Sequence, residues 1–346
     1  MANLRRRMMM SQEDNEKLDY LTIIPDSVPA TLYLGIPRYV YDDGEDYWSA
    51  NKEIWISKDN GNTWEKHGGD DSYAEEAYIN INGPIKIKGN LNIEWVSEDG
   101  FLIPPRFNIT NTTFTVEGSP MSLCYGDDFD SYTGEQTWSF YDMFNNSNIR
   151  RINNPKTFLP ATSFRYSDDN IRSYPAYEGM FNSCRNLENS PEINLVNIGL
   201  RDCARMFYNC YNLTEAAAIN SLTVGNHGCY YMYYGCVNLV KAQNVLSMDI
   251  KGYDCYGCMF RACSSLERAP ELPALKLISR CYNEMFYGCE KLNYIKAMTE
   301  SPFNSGYTTN WVYGVASTGT FVKNKNYRNP PTGVNGIPFG WTVVSE

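Results

Sequence analysis

One unit recurs five times in the middle of the chain, and it limits the fold more than any other feature. The copies are Met180-Phe181-x-x-Cys184-x-x-Leu187, Met206-Phe207-x-x-Cys210-x-x-Leu213, Met232-Tyr233-x-x-Cys236-x-x-Leu239, Met259-Phe260-x-x-Cys263-x-x-Leu266 and Met285-Phe286-x-x-Cys289-x-x-Leu292. Their methionines step by 26, 26, 27 and 26 residues. A degenerate copy, Met143-Phe144-x-x-Ser147-x-Ile149, lies 37 residues upstream and points to an insertion in the first turn. Other registers keep the same period: Ile193, Ile219, Val245 and Leu272; Ile198, Val224, Ile250 and Leu277; and a second cysteine set, Cys203, Cys229, Cys255 and Cys281. Several registers on one period require stacked coils, because a unit this short buries its apolar face only against its neighbours. The expected coil has a short helical turn around the Tyr/Met/Phe/Cys segment and an extended segment after the leucine.

Nine of the eleven cysteines follow the repeat, so they read as small buried hydrophobes, with methionine filling gaps beside phenylalanine, while Cys124 stands outside the repeats. Cys255-x-x-Cys258 is the one pair with metal-ligand spacing, and it has no matching second pair. Two histidines, His67 and His227, leave little for a histidine-based metal centre or general base. No phosphate loop, dinucleotide fingerprint or nucleophile elbow is present. No catalytic residue, metal or cofactor is expected. Thirty basic against forty acidic side chains give a net charge of −10, which argues against nucleic-acid binding. No apolar run approaches the roughly 18 residues of a membrane span, so no membrane insertion is expected.

Residues 18–118 change character, with short β-branched and aromatic runs between turn residues. Candidate strands are 20–24, 31–34, 53–57, 63–67, 77–81, 85–88, 92–96 and 113–116. Among them, Ser57-x-Asp59-x-Gly61-x-Thr63-Trp64 resembles an Asp-box hairpin, with Trp64 expected to pack beneath it. One copy is too few for a propeller. Acidic clusters at Asp42, Asp43, Glu45 and Asp46 and at Asp127, Asp128 and Asp130 offer oxygens of the kind calcium takes, but without EF-hand spacing they read as solvated turns. The tail, 301–346, is rich in Gly, Pro and aromatics and is expected to close the last coil as a polar-faced β cap.

The start, residues 1–17, carries Arg5, Arg6, Arg7, Met8, Met9 and Met10 ahead of a polar stretch. No apolar segment follows the arginines, so no secretory signal is read; cationic and apolar side chains side by side suit docking into a groove on another protein, and a disordered start is the alternative. The expected fold is mainly β with short helices: anchoring peptide 1–17, small all-β module 18–118, leucine-rich-repeat solenoid 119–300, and β cap 301–346.

The five Met-Phe/Tyr-x-x-Cys-x-x-Leu units, with following segments such as Ala269-Pro270-Glu271-Leu272-Pro273-Ala274, resemble the BspA-like leucine-rich repeats of gut Bacteroidales and related proteins of their bacteriophages. The closing Gly314-to-Val322 and Gly336-to-Val343 stretches and the Asp-box hairpin resemble the same group. The start, Arg5 to Met10, resembles the N-terminal peptide of structural proteins of crAss-like phages. This resemblance implies a head or tail fibre in the virion, attached through its N-terminus to capsid or tail proteins, homo-oligomeric, and presenting the solenoid to a host-surface glycan or protein. The alternatives it implies are a bacterial surface adhesin and a fibre-borne polysaccharide-degrading enzyme. Of 27 tyrosines, Tyr208, Tyr211, Tyr230, Tyr231, Tyr234 and Tyr287 occupy repeat positions that the core columns leave unclaimed, and they are the expected ligand-binding residues.

Overall fold

A computed structural model of the chain describes residues 19–41, 53–68, 76–91, 100–129, 140–159, 175–242 and 246–346. The expected anchor residues Arg5, Arg6, Arg7, Met8, Met9 and Met10 lie outside the described residues, as do Asp42, Asp43, Glu45, Asp46, Asp130, Val245 and the strand expected at 92–96. The chain is mainly β, with one short helix and a β-solenoid of about six turns.

Among the described residues ten strands precede the solenoid: β1 (Leu21–Pro25), β2 (Ala30–Gly35), β3 (Arg38–Tyr41), β4 (Ile54–Ser57), β5 (Glu65–His67), β6 (Glu76–Ile81), β7 (Ile85–Gly89), β8 (Gly100–Ile103), β9 (Arg106–Ile109) and β10 (Phe114–Glu117). Alternating burial in β2 and β7 shows why period-2 sequences formed them: Ala30, Leu32 and Leu34, and Ile85 and Ile87, turn inward. Helix α1 (Ser122–Tyr125) follows, and then β11 (Ile149–Ile152) pairs parallel with β10. The antiparallel sheet β10-β1-β7-β4-β5 therefore continues into the first coil through β11.

The coils stack through parallel strands in register. Strands β12 (Asn197–Ile198), β13 (Thr223–Val224) and β14 (Asp249–Ile250) align Ile198, Val224 and Ile250. Strands β15 (Arg268–Leu272), β16 (Tyr294–Ala297), β17 (Thr320–Lys323) and β18 (Thr342–Ser345) complete the other end.

The segment around each Met-Phe pair is not the expected helical turn. Its amides alternate between partners: Tyr177, Gly179, Phe181 and Ser183 donate to carbonyls of Asp202, Ala204, Met206 and Tyr208 in the next coil, while Met180, Asn182 and Cys184 donate three residues back. Every fourth residue is left-handed, as at Arg201, Arg205 and Asn209 (φ 60, 53 and 57°) and His227, Tyr231 and Gly235 (φ 53, 57 and 71°). A left-handed L-residue costs about 1–2 kcal/mol, so this chain of turns persists because the inter-coil bonds over-determine it. A helix would bond every amide within its own coil and leave nothing to join the stack.

Inside, the repeat signature forms columns. Phe144, Phe181, Phe207, Tyr233, Phe260 and Phe286 stack with centroids 5.2–5.8 Å apart and planes within 12°. Met180, Met206, Met232, Met259 and Met285 are buried alongside them, as are Leu187, Leu213, Leu239, Leu266 and Leu292. The thiols of Cys184, Cys210, Cys236, Cys263 and Cys289 donate at 2.9–3.1 Å to the carbonyls of Phe144, Phe181, Phe207, Tyr233 and Phe260 in the preceding coil. These carbonyls also accept a bond within their own coil, so the thiol occupies the second lone pair. Cysteine suits the column because it is an apolar filler that also donates.

The second cysteine set is not one column. Cys203 and Cys229 donate their amides to Gly228 and Cys255, and Tyr256 and Tyr282 donate theirs to Cys281 and Tyr307, which puts Cys203, Cys229, Tyr256 and Tyr282 in one register. Cys255 and Cys281 sit one place earlier. The extra residue of the 27-residue step falls between Lys251, still in register with Gly225, and Asp254. There Gly252 approaches the preceding coil so closely that a Cβ would lie 2.0 Å from the Asn226 nitrogen.

At the C-terminal end Trp311 fills the core, stacked at 6.2 Å on Tyr282, with its indole N–H donating to Gly336 at 2.8 Å. The outer face of this end is not polar as expected, since Phe339, Val343 and Val344 are exposed. In the hairpin, Asp59 accepts from the Thr63 amide and hydroxyl at 2.9 and 2.7 Å and from the Ser57 hydroxyl at 2.7 Å, which lowers its carboxyl to about 2. Trp64 packs against the turn, its Cζ2 3.8 Å from the Cβ position of Gly61, and lies half-buried against Tyr20 and under the Lys88 ammonium. Asp127 is an exposed turn residue as expected, and it also holds that lysine at 2.8 Å and accepts from the Tyr20 hydroxyl at 2.7 Å.

Candidate functional site: a tyrosine and arginine groove on the turn face

The left-handed turns carry their outward side chains in rows that run from coil to coil. One row is Asn182, Tyr208, Tyr234, Arg261, Tyr287 and Tyr313, and the neighbouring row contains Arg205 and Tyr231. Tyr208 and Tyr234 stack face to face, 4.7 Å apart with planes 4° from parallel. Tyr231 meets both edge-on, at 6.2 and 5.3 Å. Together with Asn182, Arg205 and Arg261 these three rings line a depression of about 480 Å³.

The structure thus gathers three of the six expected tyrosines, Tyr208, Tyr231 and Tyr234. Tyr230 lies behind them, edge-on to Tyr231 at 4.3 Å. Tyr287 belongs to the next stretch of the row, stacked on Tyr313 at 4.7 Å and beneath the Arg261 guanidinium at 4.3 Å. Tyr211 stands apart with Arg185 at 5.4 Å. Burial raises the phenols of Tyr208 and Tyr231, so both are neutral hydroxyls at neutral pH. Tyr231 also hydrogen-bonds to Tyr230 and Cys258. Among the described residues the hydroxyls of Tyr208 and Tyr234 have no hydrogen-bond partner.

Carboxylates flank the groove under arginine cover. Glu178, 4% exposed, pairs with Arg201; Asp142, 7% exposed, pairs with Arg106 at 3.2 Å; Asp254, 3% exposed, lies 3.2 Å from the Arg280 Nε and 3.7 Å from His227. Burial is the largest influence on each and raises all three carboxyls, with the arginines opposing it. Arg261 pairs with Glu284. Sequence reasoning missed Asn182, Arg205 and Arg261, yet a signal existed: Arg261 stands in the tyrosine row once the copies are aligned with their 27-residue step.

Ring edges and faces, free hydroxyls, an amide and two guanidiniums converge on a shallow polar depression, a combination that fits a saccharide or a polar peptide. Among the described residues no group of three or more His, Cys, Asp or Glu side chains is placed to hold a metal, and no helix is long and apolar enough to cross a membrane. Desolvation pushes the Cys184 and Cys236 thiols up to about 12, and all eleven cysteines are free and buried. Comparison of the chain with protein-family models, with curated proteins and with solved structures gives no match.

Proposed function

We propose that the chain is an attachment protein whose solenoid binds a host-surface glycan through the tyrosine and arginine groove. The observation that carries this is the convergence of Tyr208, Tyr231 and Tyr234 on one depression with two guanidiniums and unpaired hydroxyls. Stacked tyrosines supply contact area at low conformational cost, and sugars present both the apolar faces and the hydroxyls that such a site takes. The finer reading follows the sequence resemblance: a BspA-like leucine-rich-repeat solenoid behind a small all-β module, in a homo-oligomeric head or tail fibre of a bacteriophage, held to capsid or tail proteins by residues 1–17. A bacterial surface adhesin is the alternative setting for the same site.

Binding of the purified chain to host cells and to their surface glycans tests the attachment reading. Tyr234→Ala and Tyr208→Ala are expected to abolish binding with the fold retained; unchanged binding would end the assignment. A pull-down of capsid and tail proteins with the full chain, and with a chain lacking residues 1–17, tests the virion setting. Retention by the full chain alone is expected.

One observation favours a second, enzymatic reading. Asp142 and Glu178 carry buried carboxyls, both raised by burial, and the Asp142 charge raises Glu178 further, the type of pair glycoside hydrolysis uses. New reducing ends released from host capsular polysaccharide, and lost in Glu178→Gln, would establish it. Binding without release leaves attachment alone.

A further inference from the structure

The charges around the groove do not balance. Arg106, Arg201 and Arg261 are matched by Asp142, Glu178 and Glu284. Arg205 lies among these groups, near enough to Asp142 and Glu178 to draw both carboxyls downward, but among the described residues no carboxylate is within ion-pair distance of it and its side chain is exposed. Three guanidiniums thus face two carboxylates at this end of the groove, in a chain whose net charge is −10. A surplus cation in an acidic protein is solvated unless a ligand uses it. Here it sits on the lining of the groove, beside the Tyr208 ring and next in its row to Tyr231.

Arginine presents a planar fork of donors that matches a carboxylate or sulfate bidentately. The stacked pair Tyr208 and Tyr234 offers rings and hydroxyls to the body of a sugar, and the Asn182 amide stands next in the row. From this arrangement we infer that the groove selects an acidic saccharide, one whose ring rests against the tyrosines and whose anionic group, carboxylate or sulfate ester, pairs with Arg205. This rests on the glycan-binding reading above and names the chemical class of its ligand. Neutral sugars lack the group that Arg205 addresses, and a sugar with its acid esterified keeps the shape but loses the charge.

The test is calorimetric titration of the full chain with three probes: a galacturonate oligosaccharide, its methyl ester, and a sulfated galactan oligosaccharide. An anionic probe is expected to bind roughly tenfold or more tightly than the ester, the order of one charge-assisted hydrogen-bonded pair, and to weaken as salt rises. Preference for the carboxylate or for the sulfate identifies the source of the anionic group. In Arg205→Gln the advantage over the ester is expected to vanish while residual ester binding persists; in Arg205→Lys part of it returns, because the charge remains without the fork. Equal binding of acid and ester overturns the inference and leaves glycan binding standing. No binding of any probe overturns both. Retention of the advantage in a folded Arg205→Gln chain, checked by thermal melting, overturns the assignment to Arg205.

Discussion

If the aromatic column holds the coils together, removing adjacent rings must cost less jointly than separately. Phe207 is fully buried, with ring centroids 5.5 Å from Phe181 and 5.2 Å from Tyr233 and planes 1° and 7° from parallel. Phe207→Leu keeps most of the apolar area and loses both stacking contacts. At about 0.5–1.5 kcal/mol per aromatic pair beyond burial, the substitution should destabilise the chain by roughly 1–3 kcal/mol. A double-mutant cycle isolates the stacking: Phe207→Leu with Phe181→Leu breaks their shared contact only once, so the double variant should be more stable than additivity by about 0.5–1.5 kcal/mol. Phe207→Leu with Phe286→Leu, three coils apart, should add within about 0.5 kcal/mol. Urea unfolding followed by tyrosine and tryptophan fluorescence gives all the values, provided the slopes of the six chains agree. Zero coupling for the adjacent pair, or equal coupling for the distant one, would refute the column as a source of stability.

Four other outcomes are expected. The folded chain should leave all eleven thiols unreactive toward a disulfide reagent at pH 8, and full reactivity of the native chain would contradict their burial. Because folding raises Cys184 and Cys236 from 9.0 to about 12, their share of stability is whole below pH 9 and is lost as pH climbs toward 12, which melting temperatures across that window will show. Arg201→Ala should destabilise by about 3 kcal/mol, since it strands the buried Glu178 carboxylate, whereas Glu178→Gln should change little, since the Arg201 side chain is 48% exposed and stays hydrated; equal losses would contradict this asymmetry. Gly252→Ala should separate neighbouring coils at the inserted residue and lower the melting temperature by several degrees, about 2–4 °C per kcal/mol for chains of this order, and an unchanged melt would show that the close approach at Asn226 relaxes freely.

The coil was legible because buried columns impose identical spacing on every register that lines them, so Met180, Cys184, Leu187 and their copies announce the stack directly. The conformation of the turns was not. Residues such as Arg205, Tyr231, Cys258 and Glu284 adopt left-handed backbone without being glycine or asparagine, since inter-coil hydrogen bonds impose it and local preference does not. Cys255 and Cys281 kept a perfect 26-residue step by coincidence, the inserted residue having shifted them out of the Cys203 and Cys229 column. In the N-terminal half, β1, β2, β4, β6, β7 and β10 fell close to their expected positions, while β3, β8 and β9 lacked a readable alternation. For the candidate site, tyrosines left unclaimed by the core pointed to the face that carries the groove, but residue type alone could not separate Tyr208, Tyr231 and Tyr234 from Tyr211. That distinction depends on lateral contacts between rows, which the period does not encode.

The most direct test of the groove as the binding surface is a ring carbon-13 NMR titration of the tyrosine-labelled chain with host-surface polysaccharide fragments. The rings of Tyr208, Tyr231 and Tyr234 are expected to shift together and saturably, with Tyr33 and Tyr78 on the N-terminal strands unmoved. Shifts confined to tyrosines outside the groove, or none at all while the fragments bind, would contradict the account.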